Sequence, residues 1–506
     1  KEERLMKDQK LLGEESELKL LIKYSVPAII GMLVNALYNI VDRIFIGHIP
    51  GVGPMAITGV GITMPIMSIL LGFGMLIGIG ATANISIKFG QNKRKDAEKI
   101  LGNSVVLITI ISLVLTIVGI VFANSILHLF GASEATIFYA KEYINVILLG
   151  TIFNLMSFSL YSTIRADGNP KMSAAVMVLG CIINVILDAV FIFVFNLGIK
   201  GAALATVISQ IVTTLIMLYY YTLGGSNLKL KFETLKLDWR LVKIVLAIGV
   251  APFSMQMAAS VVQVIANNAL RMYGGDLAIG AMAAISSIAM IFLMPIFGIN
   301  QGSQPIIGYN YGAKKYERAQ KTVKLAMIAA TTILVLGGIL IQAFPALVIS
   351  MFNSDPKLLE IGVPGLRIYL FMMPIIGISI IGSNYFQSIG KAKLATFLSL
   401  LRQVIILIPM ILILPKFLGL DGVWFAQPTA DAISSILTAI VIFKEFRVSI
   451  VVATILSVVN FLRLYFFTSA DFMISLTVCA SLFFTVVLAK VVGGVLPIVS
   501  KKLKLD

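Results

Sequence analysis

Residues 89–99 read FGQNKRKDAEK, and residues 311–321, 222 positions further along the chain, read YGAKKYERAQK. Two further pairs of motifs keep this spacing to within one residue, which predicts that the chain contains two copies of one structural unit. These pairs are Gly168 in RADGNPK with Gly390 in QSIGKAK, and LGIKG (197–201) with LGLDG (418–422).

The composition indicates that the bilayer is the solvent for most of the chain. Of 506 residues, 58% are hydrophobic and 13% are charged, whereas soluble proteins carry about 25% charged residues. The formal net charge of +16 is better explained by Lys and Arg in cytoplasmic loops than by nucleic-acid binding.

A membrane-spanning helix needs about 20 mostly apolar residues, and twelve such segments precede residue 446. Each repeat holds six of them, so both copies enter and leave the membrane on the same side. This predicts an all-α polytopic protein with two parallel six-helix lobes related by a pseudo-two-fold axis along the membrane normal, and a cavity between them. The segments are 22–47, 55–87, 101–130, 138–164, 172–195, 199–222, 241–270, 278–308, 322–351, 361–388, 394–415 and 422–444, with two extra C-terminal spans at 448–468 and 472–499.

The predicted domains follow from the repeat. Residues 1–222 form an N-terminal lobe with a polar leader, 223–240 a polar linker, 241–446 a C-terminal lobe, and 447–506 two additional helices. Basic residues collect in every second loop, beginning with 88–99, and the alternate loops are poor in them. The positive-inside rule therefore places both termini in the cytoplasm.

Two carboxylates interrupt apolar segments. Asp188 in NVILDAVFIF follows Asn184 by one helical turn, and Asp42 in NALYNIVD follows Tyr38 by one turn. A buried carboxylate in a membrane is costly unless it is paired, protonated or facing a cavity. At about 1.5 Å per residue, both acids and Thr206 fall in the outer half of their spans, so they could share one pocket.

A purely structural role is the alternative for Asp42, Thr206 and a further polar residue of the fourth span, Asn154. Asp42 could be an interfacial aspartate paired with Arg43. Thr206 and Asn154 could simply hydrogen-bond between helices, as isolated polar residues in membrane helices usually do.

Residues 15 to about 446 resemble multidrug and toxic compound extrusion (MATE) transporters. The resemblance rests on Pro27, VDRIFIG (41–47), the basic loops that open with FGQ and YGA, RADGNPK (165–171) and LGIKGAALAT (197–206).

The resemblance implies a V-shaped exporter of amphiphilic or cationic small molecules, driven by Na⁺ or H⁺ antiport. It needs no cofactor beyond that coupling ion, and we expect it to work as a monomer in a bacterial or archaeal cell membrane. The residues that match the family's cation-site pattern are Tyr38, Asp42, Asn184, Asp188 and Thr206, with Asn154 as a companion from the fourth span. Asp42 and Asp188 would be Na⁺ ligands if sodium is the coupling ion.

The C-terminal lobe departs from this pattern. Its first span carries amides but no acid, and its main charged candidates, Asp431 and Arg402, could be a structural pair. The expected coupling site is therefore in the N-terminal lobe. Candidates for lining a substrate cavity are Asn35, Gln256, Met257 and Gln263.

The last sixty residues resemble two helices of an MgtE-type magnesium transporter, through a Gly-Gly-x-x-Pro helix followed by a basic run and an aspartate. The resemblance suggests a fused segment; two ordinary extra spans are the alternative. We do not expect such a fragment to conduct magnesium, because it lacks an acidic pore helix.

The sequence fits two other functions less well. A lipid-precursor flippase shares the two-lobe architecture but would need a large cationic cavity. The chain has neither the G-x-x-x-x-G-K-[ST] stretch of a nucleotide-binding loop nor the H-E-x-x-H of a zinc hydrolase, which argues against an enzyme.

Overall fold

The structure is a computed structural model that describes residues 11–49, 51–130, 132–134, 136–350 and 356–445. The predicted spans at 448–468 and 472–499, and with them the predicted domain 447–506, lie outside the described residues. The chain forms two compact units, residues 1–435 and 436–506. The description below concerns the first, with the helix that continues from it to Glu445.

Every regular element in the described residues is a helix, as the apolar segments predict. In the N-terminal lobe these are α1 (Glu17–Gly47), α2 (Gly53–Gly90), α3 (Arg94–Val121), α4 (Ala123–Leu129), α5 (Ile137–Leu149), α6 (Thr151–Ala166), α7 (Pro170–Ala189, continued by a π-helical turn, Val190–Val194) and α8 (Gly198–Thr222). The linker contains a 3₁₀ turn (Phe232–Leu235). The C-terminal lobe contains α9 (Trp239–Gly275), α10 (Leu277–Gly312), α11 (Tyr316–Ala343), α12 (Pro345–Ser350), α13 (Pro356–Tyr369), α14 (Met373–Ser388), α15 (Ala392–Leu400, continued by a π-helical segment, Leu401–Leu407), α16 (Ile408–Ile413), α17 (Pro415–Leu418) and α18 (Leu420–Glu445).

Ten helical segments in the described residues are long and apolar enough to cross a membrane, or up to twelve if each bent pair is one span. The bent pairs are α5 with α6, at 58°, and α13 with α14, at 50°. Neither bend follows from the apolar pattern, which predicts plain spans at 138–164 and 361–388. Gly150 stands at the first bend, where any Cβ would press against Val207 of α8, and Pro374 opens α14 without a backbone donor.

The sequence repeat is also a repeat of backbone conformation. Residues at corresponding positions of the two copies both have a positive φ angle, which residues other than glycine seldom adopt. The two lobes are thus two copies of one fold. The matched pairs are Gly168 (φ 99°) with Gly390 (φ 81°), Gly198 (φ 57°) with Gly419 (φ 58°), and Asn92 (φ 58°) with Lys314 (φ 59°).

The lobes pack together at the end of the bundle that carries the loops 88–99 and 311–321, here called the basic end. There α2 crosses α10 so closely that a Cβ at Gly90 would overlap the carbonyl oxygen of Tyr309, and a Cβ at Gly312 would overlap that of Ile87. Gly90 and Gly312 are partners in the sequence repeat. The repeated FGQ and YGA motifs therefore meet each other where the lobes join.

Residues 12–17, here called the N-terminal strap, run from the N-terminal lobe onto the C-terminal lobe at the basic end. Backbone oxygens of the strap accept hydrogen bonds from side chains that flank the YGA loop, and Glu17 pairs with two basic residues of α11. These hydrogen bonds and ion pairs join the two lobes in addition to the close contact at Gly90 and Gly312. They are Asn310 Nδ2 to Leu12 O (2.9 Å), Lys315 Nζ to Gly13 O (2.8 Å), Glu17 with Arg318 (3.1 Å) and Glu17 with Lys321 (2.9 Å).

Asp167, at the end of α6, holds the linker against the N-terminal lobe. Its carboxylate is fully buried and accepts hydrogen bonds from the Tyr220 hydroxyl (2.7 Å), from Asn227 N–H (2.9 Å) and from Leu228 N–H (2.7 Å). Burial raises the pKa of the Asp167 carboxyl to about 7, and the donated hydrogen bonds offset only part of that effect.

We expect Asp167→Ala to destabilise the protein by about 3 kcal/mol, because it strands buried donors, and Asp167→Asn to cost less. The raised pKa means that the folded state binds a proton more tightly than the unfolded chain, so the stability that Asp167 contributes falls as pH rises from about 4 to 7. The difference in melting temperature between wild type and Asp167→Ala should therefore be larger near pH 5.5 than near pH 8. Thermal unfolding in detergent at the two pH values measures it, and equal differences would contradict the prediction.

Candidate functional site

The helix α7 carries one half of the site. It begins at Pro170, behind an Asn169 cap whose side chain accepts a hydrogen bond from Met172 N–H, and it ends directly after Asp188, where a π-helical turn begins. Such turns are often found at functional positions in helices. Asp188 is fully buried and Asn184, one turn earlier, is 2% exposed.

Asn184 connects Asp188 to Thr206 of α8. In the amide orientation that satisfies both neighbours, its nitrogen donates to Asp188 Oδ2 at 3.1 Å. Its oxygen then accepts from the backbone N–H of Thr206 at 3.1 Å and from the Thr206 hydroxyl at 3.3 Å. The three residues form one hydrogen-bonded chain.

Asp42 of α1 faces Asp188. It is 7% exposed, and its carboxyl group lies at hydrogen-bonding range of the Asp188 carboxyl. The guanidinium of Arg43 instead lies near the Met64 sulfur of α2, at 3.6 Å. The interfacial Asp42–Arg43 ion pair is therefore not formed among the described residues.

Each carboxyl group of this pair keeps one buried oxygen, Oδ1, without a hydrogen-bond partner among the described residues. Two acidic groups at this separation can share one proton, because desolvation and mutual repulsion oppose a second charge. The free oxygens, with the oxygens of Asn184 and Thr206, are also the type of ligand that membrane transporters offer Na⁺. No group of three or more His, Cys, Asp or Glu side chains suited to a metal ion occurs in the described part of the chain.

A cavity of ≈ 330 Å³ lies in the N-terminal lobe. Its lining includes Tyr38, Asn184 and Thr206, which neighbour the carboxyl pair, but neither of the two aspartates. It is bounded mainly by neutral polar and sulfur-containing side chains of α1, α2, α6, α7 and α8. Gln301 of α10 is its contact with the other lobe. The sequence-predicted residues that line it are Asn35, Tyr38, Asn154, Asn184 and Thr206.

The other candidate substrate residues lie elsewhere. Gln256 and Met257, on α9, do not line this cavity, and the Met257 side chain approaches Gly72 of α2. Gln263 borders a separate pocket of ≈ 40 Å³ in the C-terminal lobe. That lobe has no carboxyl pair at the corresponding place among the described residues. Arg402 and Asp431 form an ion pair at 3.2 Å, which is the structural pairing that the sequence left open.

The sequence reasoning missed two residues of the site. Tyr143 of α5 is buried and lies within electrostatic range of both Asp42 and Asp188. Arg165 lines the cavity at the basic end. A single tyrosine in KEYINV (141–146) does not indicate a site. An arginine at the end of an apolar segment does, because a buried charge there needs a partner or a cavity, as Asp188 does.

The bundle of apolar helices, its two repeated lobes, and a buried carboxyl pair beside an internal cavity define a polytopic membrane transporter of the two-lobe kind. The profile of the MatE family matches residues 27–190 and again residues 252–413, so that each lobe contains one copy. The chain therefore belongs to the MatE (MATE) family. Residues 428–506 match the profile of the MgtE family, described as divalent cation transporters, as the sequence of the tail predicts.

Individual relatives agree with this assignment. The multidrug export proteins MepA of Staphylococcus haemolyticus and Staphylococcus aureus (strain MRSA252) are 25% and 26% identical, each over 87% of this chain and 96% of its own length. The MATE multidrug transporter DinF-BH, solved in complex with rhodamine 6G, is 38% identical with a TM-score of 0.79, covering 84% of this chain and 95% of that one. A MOP superfamily transporter from Pyrococcus furiosus, 23% identical over 86% of this chain and 97% of its own, has the same fold with a TM-score of 0.81.

Proposed function

We propose that this protein exports amphiphilic or cationic small molecules across the cell membrane in exchange for Na⁺ or H⁺ bound at Asp42 and Asp188. The observation that carries the proposal is the buried pair of facing carboxyl groups, each with one unpartnered oxygen among the described residues, next to an internal cavity. The names of the MepA relatives and of DinF-BH support the class of substrate. In this proposal the protein acts as a monomer, and the basic end faces the cytoplasm.

The coupling follows from competition for one charge. A coupling cation that enters from outside neutralises the carboxyl pair and allows the lobes to rearrange, which releases the substrate. A cationic substrate that arrives from the cytoplasm favours the ionised pair and displaces the coupling cation. The substrate and the ion then move in opposite directions by alternating access.

Purified protein in liposomes tests this proposal, with rhodamine 6G as the substrate. We expect either an imposed Na⁺ gradient or an imposed pH gradient to drive the dye against the concentration gradient of the dye. The gradient that does so identifies the coupling ion. An ionophore that collapses only that gradient should stop the movement. Dye movement that is indifferent to both gradients would contradict antiport.

Two other functions receive less support. A flippase for large anionic lipid precursors needs a wide cationic cavity, whereas the ≈ 330 Å³ cavity has one basic residue in its lining, Arg165. Magnesium transport is favoured only by the family match of the tail. Residues 447–506 contain two acidic residues, Asp471 and Asp506, and Mg²⁺ prefers carboxylate and water ligands. Flux of Mg²⁺ through liposomes that contain the full chain measures it, and we expect none.

A further inference from the structure

Arg165 is a buried cation at the basic end of the cavity in the N-terminal lobe. Its side chain is 4% exposed and forms part of the cavity lining. Its guanidinium donates to the hydroxyls of Ser162 (3.0 Å) and Ser173 (3.2 Å). Its Nε–H is buried and has no hydrogen-bond partner in the described part of the chain.

The partners of Arg165 orient it without neutralising it. Both serine hydroxyls are already committed as donors, Ser162 to the Phe158 carbonyl and Ser173 to the Tyr161 carbonyl, so each can only accept from the guanidinium. The C-terminal end of α6 supplies a partial negative charge. No full negative charge is paired with Arg165 among the described residues.

Acidic residues that could compensate this charge are engaged elsewhere or are far away. Asp167 is close in sequence, but its carboxylate is used by Tyr220 and the linker. The carboxyl pair at Asp188 lies about fifteen residues along α7 from Ser173, which corresponds to about 22 Å. Charges so far apart attract each other weakly.

The C-terminal lobe contains a partly buried arginine that is neutralised by an acid. Arg402 is paired with Asp431 at 3.2 Å, and Gln427 donates to both oxygens of that aspartate. The repeat partner of Arg165 itself, 222 residues further on, is the neutral Gln387. Among the residues that the structure describes, a buried guanidinium without an acidic partner therefore occurs only in the lobe that contains the ≈ 330 Å³ cavity.

We propose that Arg165 is an anion subsite of this cavity, which binds the carboxylate of zwitterionic amphiphiles. The inference rests on the proposed export function and narrows its substrate class. A guanidinium presents paired donors that match a carboxylate, and the subsite lies at the end of the cavity opposite the carboxyl pair. Zwitterions would thus be held by their anionic group while their cationic group remains directed toward Asp42 and Asp188.

Two dyes that differ in one charge test the subsite. Rhodamine 6G is a cationic ethyl ester, and rhodamine 19 is the same cation with a free carboxylate in place of the ester. Binding of each dye to the purified full chain is measured by fluorescence polarisation, in wild type, Arg165→Gln and Arg165→Lys. Lys171→Gln is the matched control, because it removes one exposed positive charge at the same end of the bundle and outside the cavity lining.

We expect Arg165→Gln to weaken rhodamine 19 binding by about tenfold or more, since it removes a charged hydrogen-bonding partner, and to leave rhodamine 6G binding nearly unchanged. Arg165→Lys keeps the charge but not the paired donors, so it should lose an intermediate factor for rhodamine 19 alone. Lys171→Gln should change neither dye. If Arg165→Gln does not fold, the Arg165→Lys result decides.

Equal effects on both dyes, or no effect on rhodamine 19, would overturn the subsite. The subsite would also be overturned if wild-type binding of rhodamine 6G required chloride or phosphate and this requirement disappeared in Arg165→Gln. An inorganic ion would then be the ligand of Arg165. Failure of the wild type to move rhodamine 6G under either ion gradient would count against the export function. Equal effects of Arg165→Gln on the two dyes, in a protein that still transports the ester, would count only against the subsite at Arg165.

Discussion

Replacing Asp188 by asparagine is expected to abolish gradient-driven dye transport in liposomes, to the level of liposomes without protein. The substitution keeps the shape of the side chain but removes the group that takes up and releases a cation. An uncharged amide offers no negative charge for which the substrate and the coupling ion could compete. Neither of them can therefore displace the other. Asp42→Asn should have the same effect, since the two carboxyl groups face each other at hydrogen-bonding range.

The matched control is Asp96→Asn. Asp96 is half exposed at the basic end, where it pairs with Lys88 at 3.6 Å, and exposed ion pairs of this kind contribute about 1 kcal/mol or less. Transport by this variant should equal that of the wild type. Circular dichroism and gel filtration establish that Asp42→Asn and Asp188→Asn are folded.

Exchange of labelled for unlabelled dye, without any gradient, separates coupling from substrate binding. If Asp42→Asn and Asp188→Asn both show wild-type gradient-driven transport, the carboxyl pair is not the coupling site. If only one of them is impaired, the ion is held by one aspartate rather than by the pair.

Most of the fold could be predicted because the bilayer imposes a simple pattern. A segment must be apolar for about 20 residues to span, and the spacing of FGQNKRKDAEK and YGAKKYERAQK divides the spans into two equal sets. The bends at Gly150 and before Met373 could not be predicted in this way. They depend on the close approach of Val207 to Gly150 and on a local loss of helix hydrogen bonds, to which hydropathy is insensitive.

The centre of the candidate site was predictable from cost. A carboxylate in an apolar span needs a reason, and Asp42 and Asp188 do lie opposite each other in the structure. A neutral amide does not carry the cost of burying a charge, so the amides of α9 did not indicate where their side chains lie. Gln256 and Gln263 are outside the cavity of the N-terminal lobe. Arg165 belongs to the RADGNPK motif between two predicted spans, where an arginine is typical of a cytoplasmic loop, and only the structure places it inside the lobe.

Substituting Gly90 by alanine should hold the two lobes apart at the basic end and slow transport by about tenfold or more. The added methyl group overlaps the carbonyl oxygen of Tyr309, and a backbone atom cannot rotate away as a side chain can. Overpacking at such a contact costs about 1–3 kcal/mol, which is a factor of about 5 to 150 in the population of the closed arrangement. The N-terminal strap, through Glu17 with Arg318 and Lys321, opposes but does not remove this effect.

Spin labels at Lys95 and Lys393, one at the basic end of each lobe and both exposed, measure the separation by double electron–electron resonance. The labels require replacement of Cys181 and Cys479. Gly90→Ala should shift the distance distribution to longer values. The control is Gly61→Ala on the same helix, where a Cβ meets nothing within 4 Å, and its distances and transport should match the wild type.

A double variant shows whether the crossing and the strap act on one conformational equilibrium. Glu17→Gln alone removes the ion pairs with Arg318 and Lys321 and should lengthen the distances slightly, because it leaves the glycine crossing intact. Combined with Gly90→Ala it should shift them further than either change alone, since both stabilise the same closed arrangement of the basic end. Unchanged distances in Gly90→Ala, together with normal transport, would mean that the repeated motifs meet at this crossing without controlling access through it.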